Sequence, residues 1–300
     1  KVEKRDIDYM LNEGKISIQK NQENNSIIHI LNSNFYLDKK KRDKIPLNVF
    51  GDHLGLEMTF VSLPKNYIKN IKNLFEENDL KVERVICRPL ATGINLANEN
   101  SDLKNFFLIN IDDELSTISI YENSSLVFFK TFPFGTNSIY RDVIQLCSIK
   151  EDETKLIIKK SNLSIKQNKD NKYVEKELFT ESEFKKISIN HLNDIVHSRI
   201  NEMLNYILNK NKNLDYLINK IFRVHLFFED QNVLEDLGNF FQESLKIDKT
   251  KTQIELLPLD HFSALSGATE LIFKGWDKEA IPLSLRKKSI ISSFFGRLFN

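Results

Sequence analysis

Glycine is scarce in this 300-residue chain: there are nine, and no two are adjacent. A fold that grips phosphates through glycine-rich turns needs backbone without Cβ at the point of approach, and no run here offers it. Cysteine is nearly absent. Cys87 and Cys147 lie far apart and in no metal-ligand spacing, which argues against a disulfide scaffold, suits a reducing compartment and leaves both as small buried hydrophobes. No stretch approaches the ~18 consecutive apolar residues of a membrane span, and no basic-then-apolar signal opens the chain. A dominant sign of charge is missing as well: 43 basic residues stand against 42 acidic ones. That balance gives no global field to draw in nucleic acid, and the basic run at 39–44 reads as a solvated loop.

What is present is an ordinary globular composition, 41% hydrophobic and 28% charged, with length for about two domains. The chain opens at Lys1 inside a helical pattern carrying Ile7, Met10 and Leu11, so a longer natural chain is expected. Residues 26–38 and 54–64 are rich in β-branched and aromatic side chains and predict strands. Ile68, Ile71, Leu74 and Phe75 form a helical stripe, and 82–87 predicts another strand. From 105 onward three strands follow in an antiparallel meander, with turns at 112–114 and 122–125. Residues 136–219 are mostly helical, interrupted by a Lys- and Asn-rich loop at 166–173. A buried strand at 221–230 and a helix to Leu245 complete the pattern, as though one domain were interrupted by another.

Several local patterns resemble the FtsA family, actin-like proteins of bacterial cell division. "VEKRDIDYML" is similar to the acidic helix entering that family's small subdomain, "IIHILNSNFYLD" to its "ilHvlPqeYilD" segment, and "ERVICRPLATG" to the stretch returning to the main fold. "LNDIVHSRINEML" resembles the helical pattern "LaeIIepRveEil", with Leu192, Ile195, Arg199 and Glu202 in register. The resemblance runs nearly end to end and rests on the order of the motifs more than on any one of them. It implies an α/β fold with α+β insertions, of the two-lobed actin-like and ribonuclease H-like ATPase superfamily, with the first lobe incomplete. The implied layout is a small α+β subdomain over 1–87, core segments at 88–145 and 220–275, and an inserted helical subdomain at 146–219. A linker at 276–285 and a terminal helix at 286–300 follow.

The family binds ATP and magnesium, and here the sequence departs from it. The first glycine-rich phosphate hairpin would precede Lys1. Where the family writes "LIDIGGGTTDIAVF", this chain has "LINIDDELSTISIY" at 108–121, with Asn110 for the leading Asp, Asp112, Asp113 and Glu114 for glycines, and Ser116 nearby. The adenosine turn corresponds to 224–237, where Phe228, Glu229 and Asp230 replace glycines, and the inserted helix carries Thr154 and Ile157 where the family has Glu and Lys. Carboxylates at that position repel a triphosphate, so no ATP, no other cofactor and no catalysis are expected. Residues 112–114 read as a solvated turn, with a divalent-metal site as the alternative. No Ser-His-Asp or Cys-His set is discernible, and His191 and His197 point to different faces of one helix.

The chain ends on "RKKSIISSFFGRLFN". At about 100° per residue, Ile290, Ile291, Phe294, Phe295, Leu298 and Phe299 share one half of a helix, after the basic Arg286, Lys287 and Lys288. That pattern suits an interfacial amphipathic helix, with docking on the protein's own core as the alternative. Residues 273–283 read as a tether leaving the fold. The resemblance implies an adaptor on the cytoplasmic side of the membrane at the division site. Its partners would be the FtsZ C-terminal peptide, met by Leu192, Ile195, Arg199 and Glu202, other divisome proteins, anionic lipids and further copies of itself. The rivals are an actin-like pilus-assembly adaptor, a small-molecule kinase, and a docking domain with its tail folded inward.

Overall fold

The computed structural model describes residues 1–42, 44–161, 163, 172–210, 223–245 and 252–280. The expected amphipathic helix, with Arg286, Lys287, Lys288, Ile290, Ile291, Phe294, Phe295, Leu298 and Phe299, lies outside these residues. Most of the predicted loop at 166–173 does too.

The chain divides into two compact units. The first comprises Lys1–Asn98, Glu122–Val127 and the chain from Leu265 on, and the second comprises Glu99–Tyr121 and Phe128–Ala264. Helix 88–99 goes with the first unit up to Asn98, as do residues Glu122–Val127 of the strand pair that follows.

In the first unit a three-stranded antiparallel sheet has the order β2-β1-β3, from β1 (Asn25–Leu37), β2 (Lys40–Arg42) and β3 (Leu54–Pro64). The long β-rich runs form β1 and β3, and two register shifts interrupt their pairing, between Ile27 and His29 and between Asn32 and Asn34. Helix α1 (Lys4–Asn21) is held to this sheet by a small apolar cluster in which Val2, Ile7 and Leu37 are buried against Leu11, Leu54 and Leu56. Helix α2 (Lys65–Glu76) buries no residue fully. Helix α3 (Arg88–Glu99) buries Leu90, Ala91, Ile94 and Leu96, and α8 (His261–Phe273) crosses it at Gly267, where a Cβ would overlap the Ala91 carbonyl.

Two sequence expectations are corrected here. Residues 82–87 form no strand; the Cys87 amide donates to a histidine side chain instead of a ladder. The supposed tether at 273–283 does not leave the fold within its described part. The Asn32 amide donates to the Lys278 carbonyl at 2.7 Å and the Ala280 amide to Ile30 at 2.8 Å, so this segment adds a bridge to β1 at Leu31 and Glu279. Glu279 is 9% exposed, which is far from solvated linker.

In the second unit a five-stranded sheet has the order β6-β5-β4-β7-β8, from β4 (Phe106–Ile111), β5 (Ser116–Glu122), β6 (Ser125–Phe132), β7 (Arg223–Phe228) and β8 (Gln253–Pro258). β4 pairs antiparallel with β5, and β4–β7 and β7–β8 are parallel. Every residue of β4 is buried, as its unbroken apolar run predicts for a strand covered on both faces. The helices are α4 (Asn137–Cys147), α5 (Glu151–Lys160), α6 (Ile189–Leu204) and α7 (Gln231–Ser244), with α6 packed on both α4 and α7. A buried carboxylate joins α5 to the segment beyond it: Glu153 accepts from the Ser182 amide at 2.8 Å and from the Glu181 amide.

Candidate functional site

The positions expected to have lost a phosphate site meet in the second unit. Parallel pairing sets Ile111 beside Phe228, so the turn after β4 and the turn between β7 and α7 lie side by side at the ends of their strands. The Glu229 amide reaches the Ile111 carbonyl at 3.3 Å, and Asp230 caps α7 by accepting from the Asn232 amide at 2.8 Å. Asn110 lies buried in β4 between Thr117 and Phe227. Ser116 donates to the Phe134 carbonyl at 2.8 Å.

Residues 112–115 turn without any positive φ, so they need no glycine. The glycine that matters is Gly135, across from them: an added Cβ there would overlap the backbone of Asp112 and Asp113. Its absence of side chain lets the start of α4 press against the turn. The Thr136 amide donates to the Asp112 carbonyl and the Asn137 amide to the Asp113 carbonyl, both at 3.0 Å. The Thr136 hydroxyl donates to Asp113 Oδ1 at 3.0 Å. Glu114 Oε1 accepts from Asn137 Nδ2 at 2.9 Å and from Arg141 Nη2 at 2.7 Å.

A helix N-terminus offers unsatisfied N–H groups and a partial positive charge, which suits a phosphate. Here the turn's carbonyls take those groups and its carboxylates take the neighbouring side chains. Further acid lies behind them. Burial, then Asp230, Asp236 and Asp113, hold the Tyr140 phenol well above its ordinary pKa. Burial, with Glu235 and Asp230 adding and Lys159 opposing, raises the Asp236 carboxyl. Thr154 and Ile157 of α5 are fully buried, and the Thr154 hydroxyl donates to the Lys150 carbonyl. The donors at the start of α4 are thus already bonded to the acidic turn. Among the described residues no group of three or more His, Cys, Asp or Glu side chains is placed to hold a metal ion.

The residues expected on a partner surface are split by α6. Leu192 is fully buried and Ile195 is 7% exposed, so both belong to the core, which corrects the expectation that they face a partner. Arg199 makes a two-pronged ion pair with Asp142 of α4, at 2.6 and 2.8 Å, and reaches Glu202 at 2.6 Å. Its guanidinium therefore ties α6 to α4, with the Glu202 side outermost.

Sequence reasoning missed a buried polar clasp in the first unit. His29 Nδ1 lies 2.7 Å from Glu279 Oε1, and Arg84 Nη2 lies 2.5 Å from the same oxygen. The Cys87 amide donates to His29 Nε2 at 3.1 Å, which places the imidazole proton on Nδ1, facing the carboxylate. Burial works to raise the Glu279 pKa, but the bonds from His29 and Arg84 outweigh it and the carboxyl sits below its usual range. No local signal could have linked residues 250 positions apart.

Comparisons with known proteins agree with the resemblance. No family model matches the chain. The cell division protein FtsA of Agrobacterium fabrum is 24% identical over 141 residues, 47% of this chain and 32% of that protein. FtsA of Rhizobium meliloti is 26% identical over 132 residues, 44% and 30% of the two chains, and FtsA of Bacillus subtilis is 22% identical over 117 residues, 39% and 27%. The chain thus spans about a third of the length of the curated relatives it matches. Among solved structures, the PilM-PilN type IV pilus biogenesis complex has a TM-score of 0.49 at 8% identity, covering 85% of this chain and 64% of that one. MreB5 of Spiroplasma citri bound to ADP has 0.47 at 13% identity, covering 72% and 67%. Its sequence relatives thus make the chain similar to FtsA, as a divergent FtsA-like sequence, and its mixed five-stranded sheet makes the fold α/β.

Proposed function

We propose that this chain is a non-enzymatic cell-division adaptor that ties FtsZ filaments to the inner face of the cytoplasmic membrane, and that it works without nucleotide. The observation that carries the first part is the similarity to several FtsA proteins, over 141, 132 and 117 residues. The occupied start of α4 supports the second, because the groups a phosphate would use already hold Asp112, Asp113 and Glu114.

Membrane contact is assigned to residues 286–300. Six half-buried apolar side chains contribute roughly 1 kcal/mol each, and ordering the segment offsets much of that, so a single copy binds weakly. Copies assembled side by side, with other divisome proteins, bind through avidity. Co-sedimentation with anionic vesicles tests this. Phe295→Glu, a charge in the middle of the apolar arc, removes most of the binding, while Ser293→Glu on the opposite face weakens it slightly. A wild-type protein that stays in the supernatant, beside a Phe295→Glu variant of lowered melting temperature, means the tail docks inward.

The FtsZ C-terminal peptide is assigned to the outer edge of α6, where Arg199 would exchange Glu202 for a peptide carboxylate. Glu202→Ala then tightens peptide binding severalfold, since it removes the competing carboxylate while Asp142 keeps the guanidinium in place. Unchanged affinity in that variant sinks the assignment.

A further inference from the structure

The basic run at 39–44 has a use that its net charge alone does not suggest. Lys40–Arg42 form the exposed edge strand β2, and the loop that follows presents four apolar side chains to solvent: Ile45 at 40%, Leu47 at 43%, Val49 at 42% and Phe50 at 78% exposure. These side chains are not exposed because the loop is loose. The Val2 amide donates to the Val49 carbonyl at 2.8 Å, the Asn48 amide to the Val2 carbonyl at 2.9 Å, and the Leu47 amide to the Ile45 carbonyl. Asp38 Oδ1 accepts from the Asp52 and His53 amides at 2.8 and 2.9 Å and closes the base. Asn48 takes a left-handed φ of 65° to make the turn. The fold thus fixes an apolar tip outward.

The charges sit on the same side as this tip. Lys40 pairs across from Leu37 and Arg42 from Phe35, and directly opposed residues share a face of the sheet. Leu37 packs with Val2, the residue that holds the loop, and a Cβ on Gly51 would meet the Leu37 side chain. Lys41 points to the other face, toward Glu122 at 3.1 Å. The nearby carboxylates are partly engaged: Asp38 by the amides above, Asp6 by the Glu3 amide, and Glu3 by Arg5 at 3.1 Å. Residues 39–44 carry five basic side chains and one acidic one.

From this juxtaposition of fixed exposed apolar side chains and a same-face basic strand, we propose that residues 39–42 and 44–50 are a lipid-contact surface that seats Phe50 among anionic phospholipid headgroups. An apolar tip flanked by Lys and Arg is the chemistry of interfacial membrane binding. The proposal extends the membrane reading given above to a second element and does not depend on residues 286–300. Together the two would hold one chain at two points, where the second contact is intramolecular and needs little affinity of its own.

The test compares four full-length proteins: wild type, Phe295→Glu, a loop variant carrying Lys40→Ala, Arg42→Ala and Phe50→Ser, and the combination. Each is sedimented with phosphatidylcholine vesicles with and without phosphatidylglycerol. Each basic residue removed lowers partitioning onto the anionic vesicles about fivefold, so the two lysine and arginine changes alone lower it about 25-fold, with no change in melting temperature. Phe295→Glu keeps a residual binding that needs phosphatidylglycerol and that the combined variant loses. A loop variant that binds as wild type does, with Phe295→Glu binding nothing, overturns this proposal and leaves the tail reading standing. The reverse pattern removes the tail and keeps the loop. Wild type that binds no vesicle removes both. Phe50→Trp gives an independent reading: its emission shifts to the blue on phosphatidylglycerol vesicles, and a shift seen with soluble polyglutamate and not with vesicles assigns the surface to an acidic protein and overturns the lipid proposal.

Discussion

Glu279→Gln keeps the shape of a buried side chain and removes its charge. The carboxylate is 2% exposed and receives His29 at 2.7 Å and Arg84 at 2.5 Å. A hydrogen bond to a charged group contributes about 1.5–3 kcal/mol, and leaving a partner of a buried pair uncompensated costs about 3–5 kcal/mol. Arg84 is 27% exposed and keeps some water, which favours the low end, about 3 kcal/mol. For a domain of this size that lowers the melting temperature by about 5–10 °C. The loss should appear first in hydrogen exchange, because the Asn32 and Ala280 amides bond across the bridge that Glu279 anchors. The pH dependence has a definite sign. The folded pKa lies below the unfolded one, so the contribution is complete above the ordinary carboxylate range, about pH 4, and is lost as pH falls through the folded pKa. Urea unfolding of wild type, Glu279→Gln, His29→Ala and the double variant measures the coupling. A loss below about 1 kcal/mol in Glu279→Gln, with unchanged protection at Ala280, refutes the reasoning.

Three further outcomes follow from other buried or capping groups. Burial pushes the Glu153 carboxyl up, but the Ser182 hydroxyl and the amides of Glu181, Ser182 and Lys150 outweigh it and bring it down to about 2; Glu153→Gln should cost about 2 kcal/mol at neutral pH, a difference that closes as pH falls from about 4 toward 2. Burial, with Arg223 adding and Glu255 opposing, lowers the His225 pKa, so stability falls as pH drops below the ordinary histidine value of about 6.5, and a His225→Phe chain whose stability keeps the same slope between pH 7 and 5 would exclude this histidine as the source. Asp113→Gly with Glu114→Gly should destabilise the start of α4 without conferring nucleotide affinity, and calorimetry that finds micromolar binding of magnesium ATP, in that variant or in wild type, sinks the nucleotide-free reading.

The elements with strong periodicity were legible. β1 and β3 lie where residues 26–38 and 54–64 predict them, α7 ends within a residue of Leu245, and the three-strand meander with its acidic turn is present. Residues 82–87 misled because Val82, Val85 and Ile86 carry a strand's composition, while what decides a strand is a partner, and His29 takes the Cys87 amide. β8 was missed: its alternation is weak and its place is set by parallel pairing with β7. The acidic turn was legible as a departure from a phosphate loop, but what it does was not, since Thr136, Asn137 and Arg141 stand 23 to 27 residues away. Leu192 and Ile195 show the limit of a matched motif: the same helical spacing that aligns them with a family pattern also marks a core-facing stripe.

The joining of the acidic turn to α4 bears on how this chain can change over generations. Where a turn merely lacks glycine, one substitution is a step back toward phosphate. Here Asp113 holds Thr136, and Glu114 holds both Asn137 and Arg141, so a glycine at 113 or 114 removes a partner from a donor at the start of α4 before any ligand could replace it. Each such step costs about 0.5–1.5 kcal/mol, and Gly135 keeps the two segments too close for a ligand to enter between them. Stability alone then favours the acidic side chains at 113 and 114 over glycine, whatever the turn is used for.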